Sequence, residues 1–216
     1  PFITDAPWEA ERVWQRLRAV QPARTGILIL DETSFPTQGP HSVAAARQYC
    51  GALGKVAMCQ VAVTAALWTG GRAWPLGALL YVPERWTSDA LRRRTARIPP
   101  ALPFQEQWRL ALTLWRRIRA SGVRVTAVVA DAEYGDNGMV RQAFHRAHVP
   151  YAFGISPTLT VFRGTPTLHS NQQAPRPRNR RTGWPDHDPL SVRAFSDALP
   201  ATAWRRVEWR NGVQTP

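Results

Sequence analysis

Hydrophobic and polar positions alternate along the chain with two different periods, and these separate the predicted helices from the predicted strands. Apolar residues recur at helical spacing over residues 5–20, 106–120 and 138–147. Short aliphatic and β-branched runs predict strands over residues 26–32, 56–68, 73–82, 123–131 and 150–155, with a further short strand over 159–163. The sequence Thr69-Gly70-Gly71-Arg72 is typical of a hairpin turn between the second and third of these strands.

The order of these elements after the first helix, β-β-β-α-β-α-β, predicts an α/β fold. Three antiparallel strands followed by alternating helices and strands form a mixed sheet with helices on its faces. This is the order of the ribonuclease H-like fold, in which the ends of the first and fourth strands are neighbours in the sheet. We therefore expect residues 1–163 to form a ribonuclease H-like core with an N-terminal helix.

The remaining segments show little apolar periodicity. Residues 34–55 are rich in Gly, Ser, Pro and Gln and predict a long loop, and residues 83–105 predict a polar connection. Residues 164–190 are basic, rich in proline and almost free of aliphatic side chains, which predicts a flexible loop. We expect regular structure to return near residues 190–210.

Two of the predicted strands end at an aspartate, and these residues carry the candidate chemistry. Asp31 follows the run Gly-Ile-Leu-Ile-Leu, and Asp131 follows Val-Thr-Ala-Val-Val-Ala. In the predicted topology the two carboxylates lie close together, where they could bind Mg²⁺ or Mn²⁺ through oxygen ligands for phosphate chemistry. The alternative is that each aspartate only caps a strand or starts a turn.

Three further polar residues lie near these aspartates in the sequence or in the long loop. Strand alternation predicts that Glu32 points away from Asp31. Glu133 could approach the site from the loop that follows the fourth strand. His41 could contact a substrate, although a histidine in a surface loop is usually only solvated.

Net charge indicates the class of partner. The chain carries a formal charge of +13 and has a pI near 11.4, which favours a polyanion, and nucleic acid above all. Lys55 is the only lysine, so almost all of the positive charge comes from arginine. We expect some of the cations to lie together on one basic face that contacts phosphates. The candidates are Arg47, Lys55, Arg92, Arg93, Arg94, Arg109 and Arg116.

Composition limits the other classes of protein. With 216 residues, 44% of them hydrophobic, the chain can bury one sizeable core. No run of about 18 apolar residues predicts a membrane span. Cys50 and Cys59 form no metal-binding pair, and two buried reduced thiols fit a cytoplasmic protein.

Several blocks of residues at specific spacings resemble a known family. They are Asp31-Glu32-Thr33-Ser34-Phe35-Pro36, Arg47-Gln48-Tyr49-Cys50-Gly51, Tyr81-Val82-Pro83-Glu84-x-Trp86 and Asp131-x-x-Tyr134-Gly135. Together they resemble DDE-type bacterial insertion-sequence transposases over nearly the whole chain. The resemblance implies a ribonuclease H-like domain that cuts and joins DNA at transposon ends with Mg²⁺, in a synaptic complex that could contain a homodimer.

The same resemblance assigns roles to particular residues. Asp31 and Asp131 match the first two acidic residues of the family's catalytic triad. The third is a glutamate that follows an inserted β-rich lobe, and the resemblance implies that residues 191–216 are the incomplete start of this lobe. Glu208 lies in what resembles the early part of the lobe and does not match the third acidic residue. We expect a truncated copy. This leaves two alternatives open: a non-catalytic nucleic-acid-binding remnant, or another kind of ribonuclease H-like nuclease.

Overall fold

The computed structural model describes residues 9–37, 42–169 and 184–206. Within it the chain divides into two compact units, Pro1–Ile155 and Ser156–Pro216. The predicted domain boundaries at residues 163 and 190 stay predictions. His41 and Glu208 lie outside the described residues.

The first unit contains all the long elements of the chain. Its helices are α1 (Ala10–Ala19), α2 (Glu84–Ser88), α3 (Ala90–Thr95), α4 (Gln107–Ala120), α5 (Ala132–Gly135) and α6 (Gly138–Arg146). Its strands are β1 (Thr25–Pro36), β2 (Ala46–Cys50), β3 (Lys55–Thr69), β4 (Arg72–Tyr81), β5 (Arg124–Ala130) and β6 (Tyr151–Phe153).

These six strands form one mixed sheet. Strand β3 pairs antiparallel with β1 on one edge, while its other edge pairs with β2 and then with β4. Strand β1 also pairs with β5, and β5 with β6, both in parallel. The predicted mixed α/β fold is therefore confirmed, including the position of the first predicted strand beside the fourth.

The two faces of the sheet differ in burial, and β1 shows this most clearly. Leu28 and Leu30 are 0% and 1% exposed, whereas their neighbours Ile27 and Ile29 are only half-buried. The leucines belong to the main core cluster, to which α4 and α6 contribute side chains such as Leu114. We call the face that carries Leu28, Leu30 and Glu32 the core face, and the opposite face, which begins with Ile27 and Ile29, the outer face.

Two sequence-based predictions within this unit are wrong. Residues 34–55 are not a loop throughout, because β1 extends to Pro36 and β2 forms an edge strand on β3. A five-residue strand is too short to show a clear apolar period, and its stability comes from the ladder with β3. The connection 83–105 contains α2 and α3; Trp86 of α2 is buried, and its indole N–H donates to the Ala45 carbonyl at 2.9 Å.

Helix α6 begins where the sequence predicts. The Asn137 side chain accepts hydrogen bonds from the backbone N–H groups of Met139 and Val140, at 2.9 and 3.4 Å. An asparagine in this position satisfies N–H groups that have no partner within the helix.

The second unit contains short elements. Strand β7 (Thr160–Val161) pairs with β10 (Leu190–Ser191), and β8 (Leu168–His169) pairs with β9 (Trp184–Pro185). Helix α7 (Val192–Asp197) is capped by the Ser191 side chain. Residues 170–183 of the predicted flexible loop and residues 207–216 of the predicted insertion lie outside the described residues. In the described part of the chain, no helix is long and apolar enough to cross a membrane.

Candidate active site

Strands β1 and β5 are parallel neighbours and bring Asp31 and Asp131 to the same level of the sheet. The prediction that the first strand stops at Asp31 is wrong, because β1 remains paired with β3 as far as Pro36. The parallel register pairs Ile29 with Val129, and each aspartate follows two residues later. Because side chains alternate along a strand, Asp31 shares the outer face with Ile29. Both aspartates are exposed, and both line one cleft of about 360 Å³.

The backbone around each aspartate is fixed by local hydrogen bonds. Asp31 Oδ1 accepts from the N–H of Glu32 at 2.8 Å, and Asp131 Oδ1 accepts from the N–H of Glu133 at 3.0 Å. The second bond makes Asp131 the N-cap of α5. Asp131 therefore caps a helix, and it also lines the cleft.

A close approach of backbone holds the turn after Asp131 in place. A Cβ atom on Gly135 would lie 1.7 Å from the carbonyl oxygen of Gly154, so this position accepts only glycine. The N–H of Gly154 in turn donates to the Ala130 carbonyl at 3.0 Å. The glycine contact therefore packs the Asp131 turn against the end of β6.

Glu32 lies one residue after Asp31 but occupies the core face. Its Oε1 accepts a hydrogen bond from the hydroxyl of Tyr134 at 2.5 Å, and Tyr134 is 1% exposed. Burial, together with the negative charges of Glu133 and Asp131, raises the pKa of Glu32 to about 8 against the opposing effect of the Tyr134 hydrogen bond. Burial, together with the negative charge of Glu32, also raises the pKa of Tyr134.

This hydrogen bond is the feature that sequence reasoning missed. Strand alternation places Glu32 on the opposite face from Asp31, as expected, yet both residues line the cleft. Glu133 lines the cleft as well. The signal in the sequence was the spacing Asp131-x-x-Tyr134, which puts a tyrosine one helical turn after the strand-end aspartate.

The cleft has the donor chemistry that Mg²⁺ prefers. Asp31, Asp131 and Glu133 offer carboxylate oxygens, and no His or Cys among the described residues lines the cleft. Among residues 9–37, 42–169 and 184–206, no group of three or more His, Cys, Asp or Glu residues is arranged to enclose a metal ion. Mg²⁺ is usually bound by one or two carboxylates and completes its shell with water and substrate phosphate, so the two aspartates fit it.

A larger cleft of about 820 Å³ lies at the other end of β1, and its chemistry is different. Arg18, Arg24 and Arg117 line it, together with Glu11, whose carboxylate is bound by Arg18 at 2.6 Å. The single carboxylate that lines this cleft is already bound by an arginine, so the cleft lacks the two carboxylates that the metal chemistry needs. The smaller cleft is therefore the candidate active site.

The predicted phosphate-binding cations occupy different environments. Arg47 and Lys55 are exposed on the hairpin formed by β2 and β3, and Arg94 is exposed on α3. Arg92 is half-buried, with its guanidinium 4.9 Å from the centre of the Trp86 ring. Arg116 is exposed on α4, where Arg109 also lies. Their contacts with DNA stay predictions.

The guanidinium group of Arg93 is bound within the protein. Its guanidinium donates to carbonyl oxygens at 2.5–3.0 Å, namely those of Thr87, Pro99, Pro100 and Leu102. These bonds hold the segment after α3 against α2. A contact of Arg93 with DNA stays a prediction, as for the other cations.

Comparisons with known proteins agree with the chemistry of the cleft at the level of family. A family model described as DDE superfamily endonuclease matches residues 1–216. No curated protein matches the chain. One solved structure, the Drosophila P element transposase strand transfer complex, is 11% identical over 63% of this chain and 25% of that chain, with a TM-score of 0.26. The chain thus spans a quarter of that protein's length, and so low a TM-score supports no inference about fold or function.

Proposed function

Because the chain belongs to the DDE superfamily of endonucleases, we propose that its first unit is the catalytic domain of a DNA transposase that depends on a divalent metal. One observation carries this proposal. Asp31 lies within β1, Asp131 directly follows the parallel neighbour β5, and both line a single cleft. Paired carboxylates in one cleft are what metal-assisted phosphodiester chemistry requires.

In this proposal Asp31 and Asp131 hold Mg²⁺ or Mn²⁺. When bound, the metal lowers the pKa of an attacking water or 3′-hydroxyl and stabilises the leaving oxygen of a phosphodiester. The backbone bonds to Asp31 and Asp131 keep the two carboxylates oriented, and Gly135 keeps the turn that carries Asp131 against β6. Oriented ligands reduce the reorganisation that metal binding needs.

The proposed substrate is DNA, namely insertion-sequence ends and a target site. The charge of +13 supports a polyanionic partner, and the exposed Arg47 and Lys55 are available for phosphate contacts on the β2–β3 hairpin. Strand transfer would follow cleavage when the freed 3′-hydroxyl attacks target DNA, in a synaptic complex that could contain a homodimer.

Nicking of supercoiled plasmid in Mg²⁺ or Mn²⁺ tests the proposal. We expect Asp31→Asn and Asp131→Asn each to reduce the nicking rate by about a thousandfold, since metal-bound charge stabilisation contributes several kcal/mol to the transition state. Asp197→Asn is the matched control, because the same change is made at an exposed site in the second unit. Full activity in Asp31→Asn, or unchanged Mn²⁺ affinity in that variant, would contradict the proposed role.

A second candidate function is a nucleic-acid-binding protein without catalysis. It is favoured by one observation: the described residues contain no group of three metal-binding side chains. DNA binding that weakens with salt, without metal-dependent nicking, would support this candidate. Cleavage of an RNA–DNA hybrid but not of DNA would instead indicate a different ribonuclease H-like nuclease.

A further inference from the structure

The outer face of the sheet continues beyond Asp31 and becomes aromatic. Side chains that share a face of a strand are two residues apart, so Thr33 and Phe35 follow Asp31 on this face at intervals of about 6.7 Å. Phe35 is 51% exposed. A large aromatic side chain therefore lies about 13 Å along β1 from the proposed metal-binding carboxylate.

The neighbouring hairpin adds a second aromatic and a cation to the same face. Phe35 pairs with Gln60 of β3, and Val56 of β3, four residues before Gln60, pairs with Tyr49 of β2. Alternation therefore puts Tyr49 and Arg47 on the outer face, and the buried residues Ala46 and Cys50 of β2 on the core face.

Tyr49 connects this face to the cleft. Its side chain is 65% exposed, and the residue lines the same cleft as Asp31 and Asp131. Its cross-strand neighbour Val56 is 54% exposed. The outer face thus presents Phe35, Tyr49 and Val56 as an apolar surface that runs from the cleft along the β2–β3 hairpin.

The charges around this surface favour one kind of partner. Asp31 is the only acidic residue on the outer face of β1, β2 and β3. Arg47 and Lys55 are exposed on the hairpin, and the chain as a whole carries +13. A strand of nucleic acid satisfies both requirements, because its phosphates bind cations and its bases stack on aromatic rings.

We propose that Phe35, Tyr49 and Arg47 form a platform that binds unpaired nucleotides beside the carboxylate cleft. Tyr49 and Phe35 stack on the bases, and Arg47 neutralises a phosphate. Paired bases in a duplex cover one another's faces, so a stacking platform selects single-stranded or frayed DNA. The platform rests on the proposed function, since it takes DNA as the substrate and adds that nucleotides near the reacting phosphodiester are unpaired.

The test measures binding without cleavage. Full-length protein in EDTA is titrated against three fluorescein-labelled probes: a single-stranded 20-mer, its blunt duplex and a duplex with a single-stranded 3′ overhang. We expect Phe35→Ala and Tyr49→Ala each to weaken binding of the single strand and the overhang by about tenfold or more, and to leave blunt-duplex binding nearly unchanged. Tyr49→Trp should retain binding.

Controls separate the platform from a folding defect and from a failure of the proposed function. Leu91→Ala removes an apolar side chain that is 66% exposed on α3 and should leave all three affinities unchanged. Wild-type affinity in both alanine variants, or an equal loss on duplex and single strand, would overturn the platform. So would a change of oligomeric state in Tyr49→Ala, which would show that a second copy covers the surface.

The metal-dependent proposal has its own readout in the same experiment. Asp31→Asn should bind the overhang as wild type does while losing nicking. If wild type nicks plasmid and the alanine variants bind normally, only the platform fails. If wild type binds none of the probes and does not nick, both proposals fail.

Discussion

Asp31 and Glu32 are adjacent carboxylates with opposite surroundings. Asp31 lies on the outer face, is exposed and forms part of the cleft, with the N–H of Glu32 bound to its Oδ1. Glu32 lies on the core face, is half-buried and accepts the hydroxyl of Tyr134. Strand alternation thus gives one carboxylate to solvent and ligands and ties the other to the core.

The whole of β1 shows the same division. On the core face, Leu28 and Leu30 are almost completely buried against α4 and α6, whereas Ile27 and Ile29 on the outer face are half-buried. One face therefore stabilises the unit, and the other carries the candidate chemistry. Substitutions on each face should separate these two contributions.

The largest effect on stability is expected from Leu30→Ala. Removing this fully buried side chain should lower the free energy of unfolding by about 2–5 kcal/mol, because the lost burial is joined by the cost of a cavity. Ile29→Ala, one residue away on the outer face, should cost about 1 kcal/mol, because its side chain is already partly in water. Urea unfolding measures both, and equal losses would mean that the two faces are equally buried.

Tyr134→Phe should have an intermediate effect. It removes only the hydroxyl that binds Glu32 and should cost about 1–3 kcal/mol, since the acceptor is left without its partner in a partly buried position. Tyr49→Phe is the matched control, because its side chain is 65% exposed and should cost little. Thermal unfolding of the two variants side by side makes the comparison, and similar melting temperatures would count against the Glu32–Tyr134 bond as a stabilising contact.

The raised pKa of Glu32 predicts an effect on stability that depends on pH. The pKa rises from 4.5 to about 8 in the folded protein, so between these values the folded state holds a proton that the unfolded state has released. The stability that this proton contributes is fully present below about pH 4.5 and is lost as pH rises towards 8.

Glu32→Gln should flatten this dependence. The variant keeps a carbonyl oxygen for Tyr134 but no longer titrates, so it should gain stability relative to wild type at pH 9 and not at pH 4. Urea unfolding in EDTA across this range measures the difference. Parallel pH profiles for the two proteins would show that Glu32 titrates normally.

The smallest change in stability is expected from Asp31→Asn. The side chain is exposed, and such substitutions usually change the free energy of unfolding by less than about 0.5 kcal/mol. Chemical denaturation in EDTA checks this. A loss near that of Tyr134→Phe would place Asp31 among the structural residues and would remove the contrast with Glu32.

Sequence patterns predicted the long elements correctly and the short ones poorly. The apolar run of β1 and the helical spacing of α4 are long enough to show their periods, and Asn137 marked the start of α6. Strand β2 and helix α2 are too short for this. Strand β2 is held by its hairpin ladder with β3, and α2 by a partner distant in sequence, the Ala45 carbonyl that receives the Trp86 indole.

The candidate site likewise combines features that local sequence patterns predict with features that only tertiary packing creates. The sequence by itself determined that Asp131 ends a strand and that Glu32 faces away from Asp31, because both follow from local apolar runs and from the two-residue period of a strand. It did not show that β1 continues past Asp31 to Pro36, because that extension depends on pairing with β3. Only the tertiary structure decided that Tyr134 meets Glu32, that Arg93 is bound by carbonyls and that Phe35 and Tyr49 share an exposed face. These contacts depend on strand register and on packing between segments far apart in the chain, which no local pattern encodes.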